Sequence, residues 1–356
     1  MSRLNTFRRS ALALAVAMAA HGVHAQSNTS GYIFGQASGG SVVVENLATG
    51  LKREVSVDAD GNFRAAALPT GRYRVTHDGQ SREVSVNVGT GTAVSFATDA
   101  ASLDVVEVTG EMVNPIDLSS VESTSIFTEA QFDAVPVARN VTGVALLAPG
   151  TTRGDTAFGN LASFGGSSVA ENAYYINGFN VTNIYKGVAY SQLPFEAIAE
   201  TQVKTGGYGA EFGRSTGGVI NIITKRGGNE WHFGANAYWE PDALSEDNPD
   251  VYKANGDLYN SNGNESAGSV SYAAYASGPI IQDRLFFFAL AQQNEREAET
   301  AGSVINKRYY SNEGSDPLWL AKIDWNISDN HLLELTGFSD KRKDNTMVSL
   351  LDGNID

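Results

Sequence analysis

Residues 193–228 read LPFEAIAETQVKTGGYGAEFGRSTGGVINIITKRGG and combine three features that rarely occur together. Residues 199–205 alternate well enough to predict a strand, and residues 219–224 predict a second, short strand of mostly β-branched residues. Between them, residues 206–218 form a connector that contains six glycines. Because glycine adopts positive φ and lets the backbone approach its neighbours closely, we expect this connector to be wedged inside another structure.

Residues 207–228, GYGAEFGRSTGGVINIITKRGG, resemble the end of the plug domain of TonB-dependent outer-membrane receptors. The resemblance is to the branch of that family named after Oar, in which a similar EFGRSTGG run precedes the last plug strand. It implies that the plug motif includes Glu211, Phe212, Gly213, Arg214, Gly217 and Gly218.

Two other patterns in the same stretch suggest different chemistry. Residues 213–217 fit the G-x-S-x-G pattern of a hydrolase, with Ser215 as the nucleophile, but that pattern needs a helix after the turn. Here the turn leads into the strand-forming run of residues 219–224. Gly207 and Gly209 suggest a dinucleotide-binding loop, yet the third glycine falls one place late and no helix follows. We therefore predict that the chain is not an enzyme.

The composition is that of a β-rich chain with many turns. Its 356 residues suffice for two or three domains, and 37 of them are glycine, 18% are charged and 10% are aromatic. A net charge of −15 argues against nucleic acid as a partner, because a phosphate-binding surface needs a basic stripe. The sequence has no cysteine, and of its five histidines two lie near the N-terminus and three are far apart, so we predict neither a metal site nor a cofactor.

Residues 1–25 predict a signal peptide. Three arginines precede an apolar run over residues 11–20, and Val23 and Ala25 supply small residues before a cleavage site at Gln26. The run is well short of the ~20 residues that span a bilayer. Later segments are not apolar enough for a transmembrane helix, so a membrane-embedded part is expected to be a β-barrel. We expect Sec-type export to the outer membrane of a Gram-negative bacterium.

Residues 26–100 predict a small antiparallel β-sandwich. Five alternating runs, separated by turn signals, carry this prediction: residues 41–46, 52–57, 73–77, 83–88 and 93–97. The stretch VDADGNFRAAALPTGRYRV also resembles the carboxypeptidase regulatory-like modules, of carbohydrate-binding-like fold, that precede many TonB-dependent receptors. The resemblance implies no peptidase activity. Two roles stay open, a spacer and a contact module for a ligand or a periplasmic partner.

Residues 101–115 predict a linker that carries one exposed strand. Such a strand can add to the sheet edge of a partner, with main-chain hydrogen bonds supplying the affinity. The segment lies where the family carries its TonB box, which implies that TonB binds Asp104, Val105, Val106, Glu107, Val108 and Thr109. Glu107 departs from the apolar residue that is more common there. A last strand of the sandwich is the alternative interpretation.

Residues 116–228 are similar to the plug, an α+β domain. Thr128 is expected to cap a short helix that Pro136 ends, and residues 141–148 predict a second amphipathic helix. The run YYINGF predicts a strand and a turn similar to a hairpin of the family, with Asn177 and Gly178 at the turn. Asn177 replaces the usual aspartate, but both residues tolerate left-handed geometry.

Six charged residues lie among the apolar plug strands: Glu200, Lys204, Glu211, Arg214, Lys225 and Arg226. On a free domain they would form a solvated face. Inside a polar barrel lumen they are expected to pair across a wet interface, which is weak enough per contact to let the plug shift.

Residues 229–356 predict strands of a membrane barrel. Trp231, Phe233 and Trp239 share one face of a run with strict period two, opposite polar residues such as Asn236. Further strands are predicted over residues 267–278, 285–296, 318–327 and 332–340. The polar insertion at residues 240–266 suits an extracellular loop, and a soluble sandwich is the alternative.

The number of residues after the plug limits the barrel. Ending the plug at Gly227 leaves residues 228–356, whereas a plugged transporter barrel has about 22 strands of roughly 10 residues. We therefore expect a mainly β fragment: a small N-terminal β-sandwich, an α+β plug domain and the first strands of an incomplete transmembrane β-barrel.

The resemblance implies a transporter that takes up an extracellular ligand when TonB displaces the plug. The expected partners are TonB, outer-membrane lipid and a ligand of undetermined class: a peptide, an oligosaccharide or a siderophore, with the Oar-like branch favouring the first two. The alternative is a non-transporting outer-membrane adhesin or assembly protein, which needs no energised partner.

The signal-peptide assignment predicts that the exported protein begins at Gln26. N-terminal sequencing or intact mass of protein purified from the outer-membrane fraction measures this directly. Exported protein that retains Met1 would contradict the assignment.

Overall fold

The computed structural model describes residues 29–96 and 122–350, except residues 156–157, 160, 184, 186, 247, 264 and 302–307. The predicted mainly β fold class is confirmed, and the described residues form four sheets of three or more strands together with short helices. The predicted signal peptide and TonB box lie outside the described residues and stay predictions.

Seven strands form the N-terminal sandwich: β1 (Ser30–Gln36), β2 (Ser41–Asn46), β3 (Lys52–Ser56), β4 (Asn62–Pro69), β5 (Gly71–His77), β6 (Gln80–Val86) and β7 (Gly91–Ser95). One sheet has the order β4-β1-β7 and the other β3-β2-β5-β6. In β2 the buried side chains, among them Val42 and Val44, alternate with partly exposed ones, and the two sheets enclose one apolar core.

The sandwich differs from the sequence prediction in two respects. It is not wholly antiparallel, because β7 returns to pair with β1 in parallel. In addition, β1 and β4 were not among the predicted runs. Both have weak local strand signals, glycine in β1 and three consecutive alanines in β4, and they are strands because they pair with each other.

In its described residues the plug contains two short α-helices, α1 (Glu129–Ala134) and α2 (Val141–Ala145). Its strands are β8 (Ser123–Thr128), β9 (Thr151–Arg153), β10 (Ala162–Phe164), β11 (Ala173–Ile176), β12 (Phe179–Asn180), β13 (Ile198–Gly206) and β14 (Val219–Thr224). Helix α1 begins as predicted after Thr128, whose backbone N–H donates to the Gln131 side chain at 2.9 Å. Helix α2 is shorter than predicted, because turns replace it after Ala145.

Five plug strands form one sheet in the order β12-β11-β14-β13-β8. Strand β14 lies at its centre, parallel to β11 and antiparallel to β13, and all six of its residues are buried. A strand that is buried on both faces has a nearly continuous apolar sequence, as VINIIT does. Strand β8 lies at the edge and pairs with β13 alone among the described strands.

The fourth of these sheets, here called the meander sheet, consists of antiparallel strands: β15 (His232–Glu240), β18 (Ser266–Ile281), β19 (Leu285–Ala301), β20 (Arg308–Ser328), β21 (His331–Asp340) and β22 (Lys343–Leu350). Strands β21 and β22 pair with the two halves of β20 in one continuous register, so they act as a single broken strand. A small hairpin, β16 (Val251–Tyr252) and β17 (Leu258–Asn260), lies in the predicted polar insertion. The sheet is open at β15 and at β21–β22 within the described residues.

Side chains alternate across the meander sheet. On β20, Trp319, Ile323 and Trp325 are exposed on one face, while Leu320 and Lys322 are buried on the other. Phe233 and Trp239 of β15 are likewise exposed, at 81% and 75%, as the period of two predicts. Among the helices of the described residues, none has the length and apolar character needed to cross a membrane.

Candidate functional site

The glycine-rich connector between β13 and β14 takes its shape from packing more than from positive φ. Of its six glycines only Gly207 has a left-handed backbone, with φ of 70°. The second left-handed residue is Arg214, with φ of 71°. The expectation that glycine supplies positive φ at all six positions is therefore wrong. Arg214 is exposed at the turn, where its side chain can project into solvent.

Gly217 and Gly218 are required by close contact. A Cβ atom at Gly218 would lie 2.3 Å from the Phe164 ring, and one at Gly217 would lie 2.6 Å from Oδ1 of Asn172. Asn172 is buried and accepts a hydrogen bond from the Gly218 N–H at 3.1 Å, while its amide donates to the Ala162 carbonyl at 2.7 Å. Nothing in the sequence pattern singles out Asn172, because its neighbours carry no motif.

Phe212 anchors the connector to the plug sheet. It is 2% exposed and meets the Tyr175 ring edge-on, with 5.3 Å between the ring centroids. The Lys204 ammonium lies 5.0 Å from the centroid of the Phe212 ring. Glu211 and Gly213, on either side of Phe212, are exposed. The plug motif thus contains a buried anchor between two surface residues.

Ser215 is held by backbone atoms. Its Oγ lies 3.1 Å from the carbonyl oxygens of Glu171 and Gly218, and it accepts a hydrogen bond from the Tyr208 hydroxyl at 3.1 Å. The segment after the turn is strand β14 rather than the helix of a nucleophile elbow. The geometry therefore gives Ser215 a structural role in closing the turn.

Asn177 and Gly178 form the two-residue turn between β11 and β12. Both have positive φ, 46° and 78°, which is the geometry of a type I′ hairpin turn. The Asn177 amide donates to the hydroxyls of Thr224 at 2.9 Å and of Thr336 at 3.2 Å, and its Oδ1 accepts from the Thr224 N–H at 3.0 Å. The asparagine thus links the plug to β21 as a donor, whereas an ionised aspartate could only accept from the Thr336 hydroxyl.

The plug packs against the buried face of the meander sheet through an apolar centre. Phe288, Leu290 and Leu320 of the sheet belong to the same buried cluster as the plug residues Tyr174, Ile220 and Ile222, with Phe338 packed beside them. The prediction of a wet, polar interface between the plug and the barrel lumen is therefore met only in part, because this portion of the contact is apolar. Around these residues the plug and the meander sheet share a hydrophobic core. Its burial stabilises the contact by about 25 cal/mol for each Å² of apolar area removed from water.

A buried group of charges flanks this apolar centre. Arg226, just after β14, donates to Glu334 of β21 at 2.5 Å. Lys322 Nζ lies 3.7 Å from both Asp324 Oδ1 and Glu334 Oε2. Burial opposes the charge of Arg226, but the nearby carboxylates of Asp324 and Glu334 more than offset this, so its pKa is raised.

Three of the other predicted charges, Glu200, Lys204 and Lys225, form contacts within the plug or with the sandwich. Lys204 pairs with Glu122 at the edge of the plug sheet, and Lys225 pairs with Glu129 at 2.6 Å. Among the described residues, Arg226 is the one member of the six charges that forms an ion pair with the meander sheet. The expectation that the group pairs across the interface is thus met by Arg226 alone.

The sandwich docks on β13 through Val88, which follows β6. The backbone N–H of Val88 donates to Glu200 Oε2 at 3.1 Å, and its carbonyl accepts from Gln202 Nε2 at 3.1 Å. All three residues are buried. We call this arrangement, Val88 with Glu200 and Gln202, the Val88 clasp. Burial raises the pKa of Glu200 to about 7, although the bond from Val88 and the charge of Arg226 act in the opposite direction.

The sandwich also contacts the start and the turns of the meander sheet. The Asn229 N–H donates to the Ala48 carbonyl at 2.7 Å, and Arg53 Nε donates to the Asp329 carbonyl at 3.3 Å. Gly228 passes close to the sandwich, since a Cβ atom there would lie 2.9 Å from the Ala48 carbonyl oxygen. At Gly227 a Cβ atom would lie 2.4 Å from a backbone oxygen of β19. Gly227 and Gly228 therefore let the link between β14 and β15 pass between β19 and the sandwich.

The candidate TonB-binding strand, residues 104–109, falls in the part of the chain that the structure does not describe. Strand β8, which begins at Ser123, is the first described plug strand after it. The assignment of these residues to TonB binding therefore stays a prediction.

The family model of the TonB-dependent receptor plug domain matches residues 117–219, within the predicted plug. The TonB-dependent transporter Oar of Myxococcus xanthus is 30% identical over 273 residues, which cover 70% of this chain and 24% of that protein. The chain therefore spans about a quarter of the length of this curated relative.

Two solved structures are also similar over part of their length. The siderophore receptor PirA from Acinetobacter baumannii has a TM-score of 0.44 at 19% identity, over 64% of this chain and 32% of that one. The outer-membrane transporter YddB from Escherichia coli has a TM-score of 0.44 at 18% identity, over 60% of this chain and 32% of that one.

The contact of Gly218 with Phe164 predicts that Gly218→Ala destabilises the full chain in detergent by about 1–3 kcal/mol, because the ring cannot move without opening the core. Gly206→Ala is the matched control, since a Cβ atom there has no neighbour within 4 Å. Denaturant unfolding measures both. Equal midpoints for the two variants would contradict the packing role.

The raised pKa of Glu200 predicts a pH-dependent stability. Because the folded-state pKa is about 7 and the reference value is 4.5, the contribution is complete below pH 4.5 and is lost as pH rises through 7. Relative to Glu200→Gln, which does not titrate, the unaltered chain should lose roughly 2 kcal/mol of unfolding free energy between pH 5 and pH 8. Parallel stability curves for the two proteins would disprove this.

Proposed function

Because this chain belongs to the TonB-dependent receptor family, we propose that it acts in an outer-membrane transporter whose plug TonB displaces to admit an extracellular ligand. The proposed compartment is the outer membrane of a Gram-negative bacterium, reached after removal of the signal peptide. Exposed apolar side chains on one face of the meander sheet, including Phe233, Trp239 and Leu335, support contact with lipid.

The observation that carries the proposal is the way the plug lies against the meander sheet. The plug sheet packs on the buried face through Phe288, Leu290 and Leu320, opposite the face that carries exposed tryptophans. Two described polar links join it to β21, from Asn177 to Thr336 and from Arg226 to Glu334. A plug seated in a sheet of this kind blocks the path along its inner face, so transport requires it to move.

The proposed energy-transducing partner is TonB, which would pair with residues 104–109 by strand addition. Main-chain hydrogen bonds would supply the affinity, and Val106 and Val108 would share one face of the added strand. The candidate strand precedes β8, and β8 is an edge strand held by β13. Tension on the linker would therefore act first on the edge of the plug sheet, where one neighbouring strand has to be released rather than two.

The ligand would meet the plug from the side opposite the sandwich. The chain spans about a quarter of its curated relative. We propose a ligand of the classes that the family handles, a peptide, an oligosaccharide or a siderophore. An adhesin would need no TonB contact, so TonB binding separates the two functions.

The TonB proposal predicts that Val106→Pro abolishes capture of the chain by the periplasmic domain of TonB. Proline removes one backbone N–H from the added strand and cannot extend a ladder on that side. Val106→Thr is the matched control, because it keeps the N–H and the β-branched shape. Pull-down in detergent, with circular dichroism to confirm the fold, is the measurement. Undiminished capture of Val106→Pro would refute the assigned strand.

A further inference from the structure

The sandwich touches both parts of the molecule that plug displacement has to separate. On the plug side, the Val88 clasp holds β13 by two hydrogen bonds of 3.1 Å. On the sheet side, Ala48 binds the Asn229 N–H and Arg53 binds the Asp329 carbonyl. A Cβ atom at Gly50 would also lie 2.5 Å from Asp283 Oδ1, so the sandwich lies directly on the β18–β19 turn.

The clasp acts on the strand that also holds the edge of the plug sheet. Gln202 pairs with Ile126 of β8 through its backbone, and its side chain reaches in the other direction to Val88. Glu200 occupies the equivalent place two residues earlier, opposite Thr128. Residues two apart on a strand share a face, so β13 presents one acceptor and one donor to the backbone N–H and carbonyl of a single residue of the sandwich.

We propose that the sandwich is a periplasmic brace, which holds the plug at rest against the meander sheet and has to release β13 before the plug can move. This inference rests on the proposed function, because it presumes that the plug moves relative to the sheet. A domain bound to both partners of such a motion has to give up one contact. Of the two roles left open by the sequence, spacer and contact module, the sandwich then has the second. Its partners are the plug and the meander sheet of its own chain.

The clasp contains a group that responds to pH. A cavity of about 560 Å³ between sandwich and plug is lined by Glu200 together with other charged residues. The charged groups that face Glu200 there are Arg72 of β5, Glu129 of α1 and Arg226 after β14. Ionised Glu200 is disfavoured by burial, and a protonated carboxyl still accepts from Val88 through its carbonyl oxygen. The bond from Val88 by itself favours the ionised carboxylate, but burial outweighs it, so acid favours the docked state in which Glu200 is buried and alkali favours its release.

The test is hydrogen exchange in the full chain in detergent, read at the Val88 amide and at peptides of β8 and β13, and corrected for the intrinsic effect of pH. Gln202→Ala should speed Val88 exchange about fivefold at pH 6, since one hydrogen bond is lost. Glu200→Gln keeps an acceptor without ionising. It should exchange like the unaltered chain at pH 5.5 and about tenfold more slowly at pH 8.

Thr92→Ala is the control, because it removes an exposed hydrogen bond to Ser85 within the sandwich and leaves the clasp intact. It should not change exchange at Val88 or β13. If neither Gln202→Ala nor Glu200→Gln changes the exchange rate at Val88, the proposal is overturned. Faster exchange at Val88 without faster exchange at β8 and β13 would also overturn the proposal, because the sandwich would then dock on the plug without bracing it. Failure of TonB capture in the unaltered chain would count against the proposed function alone, since the exchange readout needs no TonB.

Discussion

The rest of the structure depends on the burial of strand β14 and on the short link that follows it. All six residues of β14 are buried between β11 and β13, and residues 225–231 then lead directly into β15. Because this link is short, the position of the plug constrains the position of the meander sheet. Arg226 and Gly227 lie against β21 and β19, so the link itself is part of the contact between the two bodies.

This constraint explains why the contact has two kinds of chemistry. The apolar centre around Phe288 and Leu320 stabilises the seated plug without direction. The charges of Arg226, Lys322 and Glu334 favour one orientation of the plug, but burying them costs desolvation free energy. A buried ion pair is therefore weak evidence for net stability. Their main effect is to disfavour other positions of the plug, in which one charge would be buried without its partner.

Local patterns in the sequence predicted the elements that local physics determines. Strand β14 was predicted with its observed bounds, and the period of two identified the strands of the meander sheet, although their full lengths and β22 were missed. Strands β1 and β4 escaped because pairing, rather than composition, makes them strands. The connector glycines were recognised, and close approach is the reason that holds at Gly218, which lies beside Phe164, 54 residues earlier in the chain, whereas positive φ holds at Gly207 alone of the six.

The functional contacts that sequence reasoning missed are those in which a side chain recognises backbone. Glu200 and Gln202 read as ordinary polar members of an alternating strand, yet both bind Val88, more than a hundred residues away in the chain. Because the partner atoms are a backbone N–H and carbonyl, almost any residue at position 88 could supply them, so no motif marks the site. Such a contact depends on the position of the sandwich and little on its side chains. The sandwich can therefore vary in sequence and still engage β13, provided that the turn after β6 keeps its place.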